Sequence, residues 1–203
     1  MSAHTAAVER ALAHAAIVPF VARLSARVPA DEAPWPEARL AAVAAILRVT
    51  DEPELLFIRR AEVEHDPWSG HMAFPGGRHE TSDTSLEMTA IRETFEELSL
   101  DLGVGRMLGR LDDLAPRSHA LPPIILRPFV AIVPPDMPLA PSREVAATFW
   151  VPLHRLRALD AQVEHAITVN GVRARFPAYA VGEHVVWGLT ERIVRQLLSM
   201  FDE

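Results

Sequence analysis

An uninterrupted apolar run at residues 40–47 constrains the fold of this chain more than any other feature of its sequence. The run, LAAVAAIL, lacks the polar alternation of a half-buried strand and is shorter than a typical helix. We therefore interpret it as a β-strand that is buried on both faces and extends to residue 49. A second apolar segment, residues 55–58, follows a turn at 51–53 and predicts the next strand.

Strand and helix patterns are mixed along the rest of the chain. Further strands are predicted at residues 72–74, 106–115, 125–133, 147–151, 163–169 and 172–176. The last two flank Asn170-Gly171, a pair that favours the type I′ turn of a β-hairpin. Helices are predicted at residues 85–98, 153–159 and 189–201. Mixed strands with helices at both ends predict an α/β fold built in layers.

The N-terminal segment differs in composition from the rest of the chain. Residues 5–28 are alanine-rich and predict a helix with a break or kink at Pro19, because proline removes a backbone donor from a helix. The proline-rich segment 29–37 predicts a linker. We therefore expect an N-terminal helix and linker at 1–37 and one domain at 38–203. An organelle-targeting helix is the alternative interpretation of the first segment.

The composition excludes several classes of chemistry and partner. The chain contains no cysteine and no lysine, so disulfides, thiolate chemistry, Schiff bases and a P-loop lysine are all excluded. No apolar stretch approaches the roughly 18 residues of a membrane span, so we expect no membrane association and a cytoplasmic location. The formal charge is −7 and no basic face is evident, so no nucleic-acid partner is expected. An acidic protein that acts on polyanionic small molecules needs divalent cations.

Residues 85–98 form the strongest predicted helix, with Thr84 and Glu87 at the spacing of a capping box. Residues at helical spacing predict its apolar face: Met88, Ile91, Phe95 and Leu98. Three carboxylates share the face predicted to lie opposite: Glu93, Glu96 and Glu97. Like charges at this spacing destabilise a helix by ~0.2–0.5 kcal/mol per pair unless something neutralises them. Carboxylate oxygens suit Mg²⁺ and Mn²⁺, and Arg92 can brace Glu96 by an ion pair.

An ordinary solvated acidic face is the alternative, and the E-x-x-E-E pattern alone favours it. The preceding residues, Phe74-Pro75-Gly76-Gly77, favour a cation site instead, because they predict a tight turn with few side chains. Such a turn exposes backbone carbonyls, another hard ligand, next to the acidic face. The two features together predict a cation site.

The segment 77–100 resembles the Nudix box, G-x5-E-x7-R-E-U-x-E-E-x-G-U, in which U is aliphatic. Gly77 matches the leading glycine, and the stretch 92–100, RETFEELSL, matches the end of the box. Four features depart from the pattern: Asp83 replaces the first glutamate, the spacing to Arg92 is one residue longer, Thr94 replaces an aliphatic residue and Ser99 replaces the glycine. The three glutamates at the end of the box are all present.

This resemblance implies a Nudix-type α/β/α sandwich with a mixed sheet, and a hydrolase that cleaves a phosphoanhydride bond. It implies Mg²⁺ or Mn²⁺ as the cofactor, bound by Glu93, Glu96, Glu97 and the carbonyl of Gly77. It implies Glu93, Glu97 and Arg92 as catalytic residues, with a carboxylate as general base. Glu93 is one candidate for the base, and Glu144, in a late loop, is another.

The resemblance is closest to the coenzyme A diphosphatase branch of the family. The shared features are the insertion in the box, the runs 73–77 (AFPGG) and 89–93 (TAIRE), and the run 186–190 (VWGLT) before the last helix. The segment 59–71 differs, because it is longer than in that branch and its pattern of arginines is altered. Arg59 and Arg117 are candidates to clamp phosphates, and Trp68 to stack on an adenine. Each also has an ordinary structural interpretation.

Several alternatives stay open. Arg127 is a further possible phosphate clamp, and Trp187-Gly188 is interpreted as structural. A zinc site at His65, His71 and His79 is disfavoured by their spacing and by the harder ligands nearby. The expected small-molecule partner is coenzyme A or an acyl derivative, with ADP-ribose, NADH or a nucleotide sugar as alternatives and a homodimer left open. A silent Nudix-fold binding module is the alternative of another class.

Overall fold

The computed structural model of the chain describes residues 2–64, 68–116, 122–169 and 172–202. Its helices are α1 (Ala3–Leu12), α2 (Ile17–Ala26), α3 (Leu86–Leu98), α4 (Leu153–Arg157) and α5 (Gly188–Asp202). Its strands are β1 (Arg39–Val49), β2 (Pro53–Arg60), β3 (Met72–Ala73), β4 (Gly76–Arg78), β5 (Arg106–Arg110), β6 (Ile124–Ile132), β7 (Val145–Pro152), β8 (Gln162–Val169), β9 (Val172–Val181) and β10 (His184–Trp187). A short 3-10 turn, Leu102–Val104, follows α3.

The main sheet is mixed. Its strands lie in the order β3-β2-β1-β6-β5, with β4 paired to β1 and β7 paired to β2. β1 and β6 run parallel, in register from Arg39–Ile124 to Leu47–Ile132. The other edge of β1 is shared, because its C-terminal end pairs with β2 and its N-terminal half pairs with β4. The chain therefore enters the middle of the sheet at β4, directly below α3.

β1 is buried on both faces, as its apolar run predicted. Its odd-numbered residues from Ala41 to Leu47 belong to a first core, and its even-numbered residues from Ala42 to Ile46 belong to a second core. Side chains of α1, α2 and α5 complete the first core, whereas α3 covers the second. The result is an α/β/α sandwich with a mixed sheet, which confirms the predicted fold class.

The N-terminal segment forms two helices where one kinked helix was expected. α1 ends at Leu12 and α2 begins at Ile17, so the break comes before Pro19. Pro19 lies in the first turn of α2, where a backbone N–H has no partner within the helix and proline costs little. Val8 of α1 and Phe20 of α2 are both buried in the first core. The domain boundary at residues 37–38 stays a prediction. In the described residues, no single helix is long and apolar enough to span a membrane; α1 and α2 meet those limits only together, as a pair bent by 81°.

α3 differs from its prediction in both its start and its orientation. Its N-cap is Ser85, whose hydroxyl accepts the Met88 N–H at 3.2 Å, so the cap is not Thr84. Leu98 of the predicted apolar face is buried, but Met88 and Phe95 are 43% and 56% exposed. The buried face consists mainly of small or polar residues: Thr89, Ala90, Thr94, Glu97 and Leu98. The helix packs closely on a glycine-containing strand, and that close approach selects small side chains over large apolar ones.

A second, antiparallel sheet of three strands, in the order β10-β9-β8, follows the main sheet. β8 and β9 pair from Gln162–Tyr179 to Val169–Val172, which confirms the predicted hairpin, although its Asn170-Gly171 turn lies outside the described residues. β9 continues five residues beyond its predicted end and pairs with β10. In the main sheet, β5 ends at Arg110 and is shorter than predicted, although Leu111 and Leu114 still hydrogen-bond to β6.

A buried carboxylate ties the linker before β1 to the main sheet. Both oxygens of Asp113 accept hydrogen bonds from Arg127, at 2.8 Å each, and one also accepts the Glu32 N–H at 3.2 Å. Burial raises the pKa of Asp113, but the hydrogen bonds and charge of Arg127 outweigh it and hold the pKa below its ordinary value. Arg127 also contacts Asp31 at 2.8 Å, so it makes ion pairs within the protein, and its suggested role as a phosphate clamp stays a prediction.

We expect Asp113→Asn to lower the free energy of unfolding by about 3 kcal/mol at pH 7, because it leaves Arg127 without its buried partner. Breaking a buried ion pair usually costs ~3–5 kcal/mol, and we use the lower end because the Arg127 side chain is 25% exposed. Since the folded pKa of Asp113 is lowered, its contribution is present above the ordinary aspartate pKa and is lost as the pH falls through the folded value. Denaturant unfolding between pH 7 and pH 2 measures both effects. The exposed Asp136→Asn makes the same charge change and should stay within about 0.5 kcal/mol of the parent.

Candidate active site

Two glutamates of α3 lie directly against the backbone of β4. A Cβ atom on Gly77 would meet the carboxylate of Glu93 at 2.5 Å, so a side chain here would displace that carboxylate from β4. Glu97 is 4% exposed, and its Oε2 accepts the Gly76 N–H at 3.0 Å. Gly76 has φ +150°, and a Cβ there would lie 2.2 Å from the Ala42 carbonyl. Gly76 therefore allows β4 to lie against β1, and Gly77 allows the Glu93 carboxylate to lie against β4, where the sequence predicted a tight turn.

The geometry of β4 determines which of its carbonyls faces α3. Hydrogen bonds from Ala44 N–H to Pro75 and from His79 N–H to Leu40 flank the Ala42–Gly77 pair. Hydrogen-bonded pairs alternate along an antiparallel ladder, so the Gly77 carbonyl points at β1. The Gly76 carbonyl points away from β1, on the side where the Gly76 N–H meets Glu97. The candidate carbonyl ligand thus shifts by one residue from Gly77 to Gly76.

Arg92 holds the acidic residues around it in place. Its Nε and Nη2 donate to the two oxygens of Asp83, at 2.9 Å each. Its Nη1 donates to Glu93 at 2.9 Å and to Glu96 at 3.2 Å, and the second contact confirms the predicted ion pair. A bond from Nη2 to the Arg78 carbonyl at 3.0 Å fixes the guanidinium to the end of β4. Arg92 is therefore a positioning residue for Glu93 and Glu96.

The departures from the Nudix box have local explanations. The side chain of Asp83 is 5% exposed and salt-bridged to Arg92, which holds the pKa of Asp83 well below its usual range. Ser99 adopts the left-handed conformation at φ 53° and caps α3, as the glycine of the box would. Thr94 is buried and donates its hydroxyl to the Ala90 carbonyl at 2.7 Å, so its polar group is satisfied. These substitutions leave the shape of the box intact.

The two inward-facing glutamates have perturbed pKa values. Burial raises the pKa of Glu97 to about 7, although the Gly76 N–H and the charge of Arg60 oppose the rise. Burial also raises the pKa of Glu93, against the hydrogen bond from Arg92. Negative charge from Glu144 adds to the rise at both residues. Arg92 and Arg60 compensate these carboxylates only in part, and a bound cation would supply further positive charge.

The structure brings Glu144 close to the helical glutamates through two backbone contacts. Ser142 N–H donates to the Glu97 carbonyl at 2.8 Å, which ties the loop before β7 to the end of α3. The Glu144 carbonyl accepts the Ala61 N–H at 2.8 Å, which ties the same loop to the end of β2. Glu144 itself is exposed. Its carboxylate is therefore available to solvent beside Glu93 and Glu97.

Of the three predicted substrate-binding residues, the structure describes Arg59 and Trp68. Arg59 is partly exposed, and its guanidinium lies 3.8 Å from Glu62. Its neighbour Arg60, which the sequence-based reasoning passed over, is the arginine whose charge acts on Glu97. Trp68 is partly exposed, and its carbonyl accepts the His71 N–H at 3.2 Å. Arg117 lies outside the described residues.

The donor set fits a hard divalent cation. Glu93, Glu96 and Glu97 offer carboxylate oxygens, and the Gly76 carbonyl faces the same side of β4. Among the described residues, no group of three or more histidine, cysteine, aspartate or glutamate side chains is arranged so that it could hold a metal ion. Arg92 contacts one oxygen of Glu93 and one of the exposed Glu96.

The histidines considered for zinc are dispersed. His79 hydrogen-bonds Thr89 at 2.9 Å, next to Asp83. His71 contacts the ring of Trp187 at 5.0 Å between centroids. His65 lies outside the described residues. Neither described histidine shares a ligand group with the other, so the acidic residues stay the better metal candidates.

Comparison with known proteins identifies the family. A model of the NUDIX domain matches residues 38–170. Proteins named uncharacterized Nudix hydrolase NudL, from Yersinia pestis (strain Pestoides F) and Yersinia pseudotuberculosis serotype O:1b (strain IP 31758), are each 34% identical over 160 residues, which is 78% of this chain and 78% of theirs. A crystal structure of a MutT/nudix family protein from Enterococcus faecalis shares the fold, with a TM-score of 0.58 at 16% identity over 92% of this chain and 70% of that one. The matched domain and the identity to the NudL proteins show that this chain belongs to the Nudix hydrolase family.

Proposed function

We propose that this chain hydrolyses a phosphoanhydride bond in a nucleotide-containing small molecule, with Mg²⁺ or Mn²⁺ as cofactor. The observation that carries the proposal is the packing of Glu93 and Glu97 on β4, which gathers carboxylates with raised pKa values beside a backbone carbonyl. Glu93, Glu96, Glu97 and the Gly76 carbonyl would hold the cation. When bound there, it neutralises diphosphate charge and lowers the pKa of a coordinated water.

The protein's own residues orient the reacting groups and accept the proton. Water attacks one phosphorus, its oxygen forms the new P–O bond, and the bond to the bridging oxygen breaks. The proton of the water passes to a carboxylate oxygen. Glu144 is our preferred acceptor, because it is exposed beside Glu93 and Glu97 and no hydrogen bond to Arg92 engages it. Glu93 is the alternative, although Arg92 holds one of its oxygens.

The substrate we propose is coenzyme A or an acyl derivative. The support for this substrate is in the sequence, in the runs 73–77, 89–93 and 186–190 that are shared with that branch. ADP-ribose, NADH and a nucleotide sugar are the alternative substrates, and the altered segment 59–71 favours them. We further propose a cytoplasmic enzyme whose residues 38–203 form the Nudix domain, and in which α1 and α2 complete the first core.

Activity should require a divalent cation, because the carboxylates on α3 repel the substrate's phosphates without one. Excess EDTA is expected to abolish hydrolysis, and added Mg²⁺ or Mn²⁺ should restore it. The hydrolysis products formed with each metal are identified and quantified by mass spectrometry. Full turnover in EDTA, with no metal found by elemental analysis, is the result that contradicts this mechanism.

Glu97→Gln should lower kcat by at least ~10²-fold, the range typical of losing a major electrostatic group in an active site. Glutamine keeps an oxygen that can accept the Gly76 N–H, so the fold should persist. Glu87→Gln makes the same charge change at an exposed site on α3 and should leave kcat within about twofold. A folded Glu97→Gln protein with near-normal kcat would show that Glu97 is not part of the metal site.

Coenzyme A should be cleaved to adenosine 3′,5′-bisphosphate and 4′-phosphopantetheine. Side-by-side assays with ADP-ribose, NADH and a nucleotide sugar compare kcat/KM for each compound. An advantage of more than ~10-fold for any of these over coenzyme A, about 1.4 kcal/mol in transition-state binding, would exclude coenzyme A as the preferred substrate. In that case the segment 59–71 was the better guide to specificity.

A further inference from the structure

The three-stranded sheet has two faces with different surroundings. Successive side chains of a strand point to opposite faces, so Tyr179 and Val186, which are paired across β9 and β10, share one face. Both are buried in the first core. Trp187 and its partner Ala178 point to the other face, as do His165 and its partner Phe176. We call this second side the aromatic face, defined by Trp187, His165 and Phe176.

Trp187 is the centre of the aromatic face. Its ring centroid lies 5.0 Å from that of His165 and 6.0 Å from that of Phe176. His71, from the segment before β3, approaches the same ring at 5.0 Å. The planes of these three rings are tilted from the indole by 37°, 46° and 59°, whereas Phe20 and Phe201 in the first core stack within 10°. None of these three rings lies flat on Trp187.

The aromatic face is partly open to solvent and its own side chains are uncharged or weakly basic. Phe176 is 38% exposed, and Trp187 and His165 are half-buried. The charged neighbours Glu164 and Arg175 point to the opposite side of the sheet, where they pair with each other at 3.0 Å. A surface of this kind favours a planar, apolar ring over a phosphate or another charged group.

The aromatic face is connected to the proposed catalytic residues by short covalent and hydrogen-bonded steps. The His71 carbonyl accepts the Arg60 N–H at 3.0 Å, and the charge of Arg60 acts on Glu97. His71 also precedes Gly76 by five residues, which span at most ~17 Å even when fully extended. A nucleotide whose phosphates lie at Glu97 therefore has its base within reach of Trp187.

We propose that Trp187, with His165 and Phe176, forms the subsite that binds the planar base of the nucleotide substrate. The inference rests on the proposed phosphoanhydride hydrolysis, and it assigns a ligand to a tryptophan that the sequence alone presented as structural. The base stacks on the open part of the indole, while His71 links this subsite to the segment that leads to β4. Other π-systems on the face support stacking without selecting one hydrogen-bonding pattern, so the subsite should prefer purines by stacking area.

Adenosine monophosphate and ribose 5-phosphate are suitable probes, because they differ only in the base and neither contains a phosphoanhydride bond to be hydrolysed. Isothermal titration in the presence of Mg²⁺ gives Kd for both. The unmodified protein should bind adenosine monophosphate at least about tenfold more tightly than ribose 5-phosphate. Trp187→Ala should reduce that ratio to about one by weakening adenosine monophosphate alone.

Trp150→Ala is the matched control. Trp150 is also half-buried, but its ring packs under Arg48 at 4.3 Å and against the second core, away from the aromatic face. This variant should keep the tenfold ratio even if it is less stable. His165→Ala, at a partly exposed strand position, removes one ring and should lower the ratio about threefold. It carries the test if Trp187→Ala does not fold.

Equal binding of the two probes by the unmodified protein would overturn the proposal. So would an unchanged ratio in folded Trp187→Ala, or, if that variant does not fold, in His165→Ala. These outcomes are separable from failure of the proposed function, since the titrations require no turnover. An enzyme that hydrolyses diphosphates but shows no base-dependent binding retains its proposed function and loses this subsite. A protein with a Trp187-dependent ratio and no hydrolysis retains the subsite and loses the catalytic proposal.

Discussion

The close approach of α3 to β4 is the constraint on which the site depends. Gly77 leaves room for the Glu93 carboxylate against β4, Gly76 lets β4 lie against β1, and the Gly76 N–H binds the carboxylate of Glu97. Burying that carboxylate raises its pKa to about 7, and a buried charge of this kind is costly unless it is paired. This cost falls at the proposed active site, where a bound cation and a polyanionic substrate would compensate it.

Arg92 is what makes such an acidic site compatible with a folded protein before any cation binds. One guanidinium contacts Asp83, Glu93 and Glu96, so it offsets part of the repulsion along α3 and fixes the direction of the side chains. A cation bound by Glu93 and Glu96, as proposed, would compete with Arg92 for their carboxylate oxygens.

The rest of the molecule holds this arrangement in place from both sides of the sheet. β1 is buried on both faces, with α3 on one core and α1, α2 and α5 on the other. The ion pairs of Asp113 attach the linker before β1, and the loop before β7 ties the end of α3 to β2. The second sheet adds Trp187 to the edge where the segment 59–71 enters. The proposed sites of diphosphate cleavage and of base recognition thus fall on different elements.

The sequence by itself determined the layered α/β fold and the acidic helix, because an unbroken apolar run and the spacing of glutamates are local patterns. It also indicated Glu144 and the glycines as site residues. It misjudged the buried face of α3, where Phe95 is exposed and Glu97 is inside, because hydrophobicity does not report how closely a helix can approach a glycine strand. Only the tertiary structure brought Arg60 to Glu97 and His71 to Trp187, since these pairs are far apart in the chain. Contacts of that kind depend on how strands are ordered in the sheets, and no local pattern encodes the order.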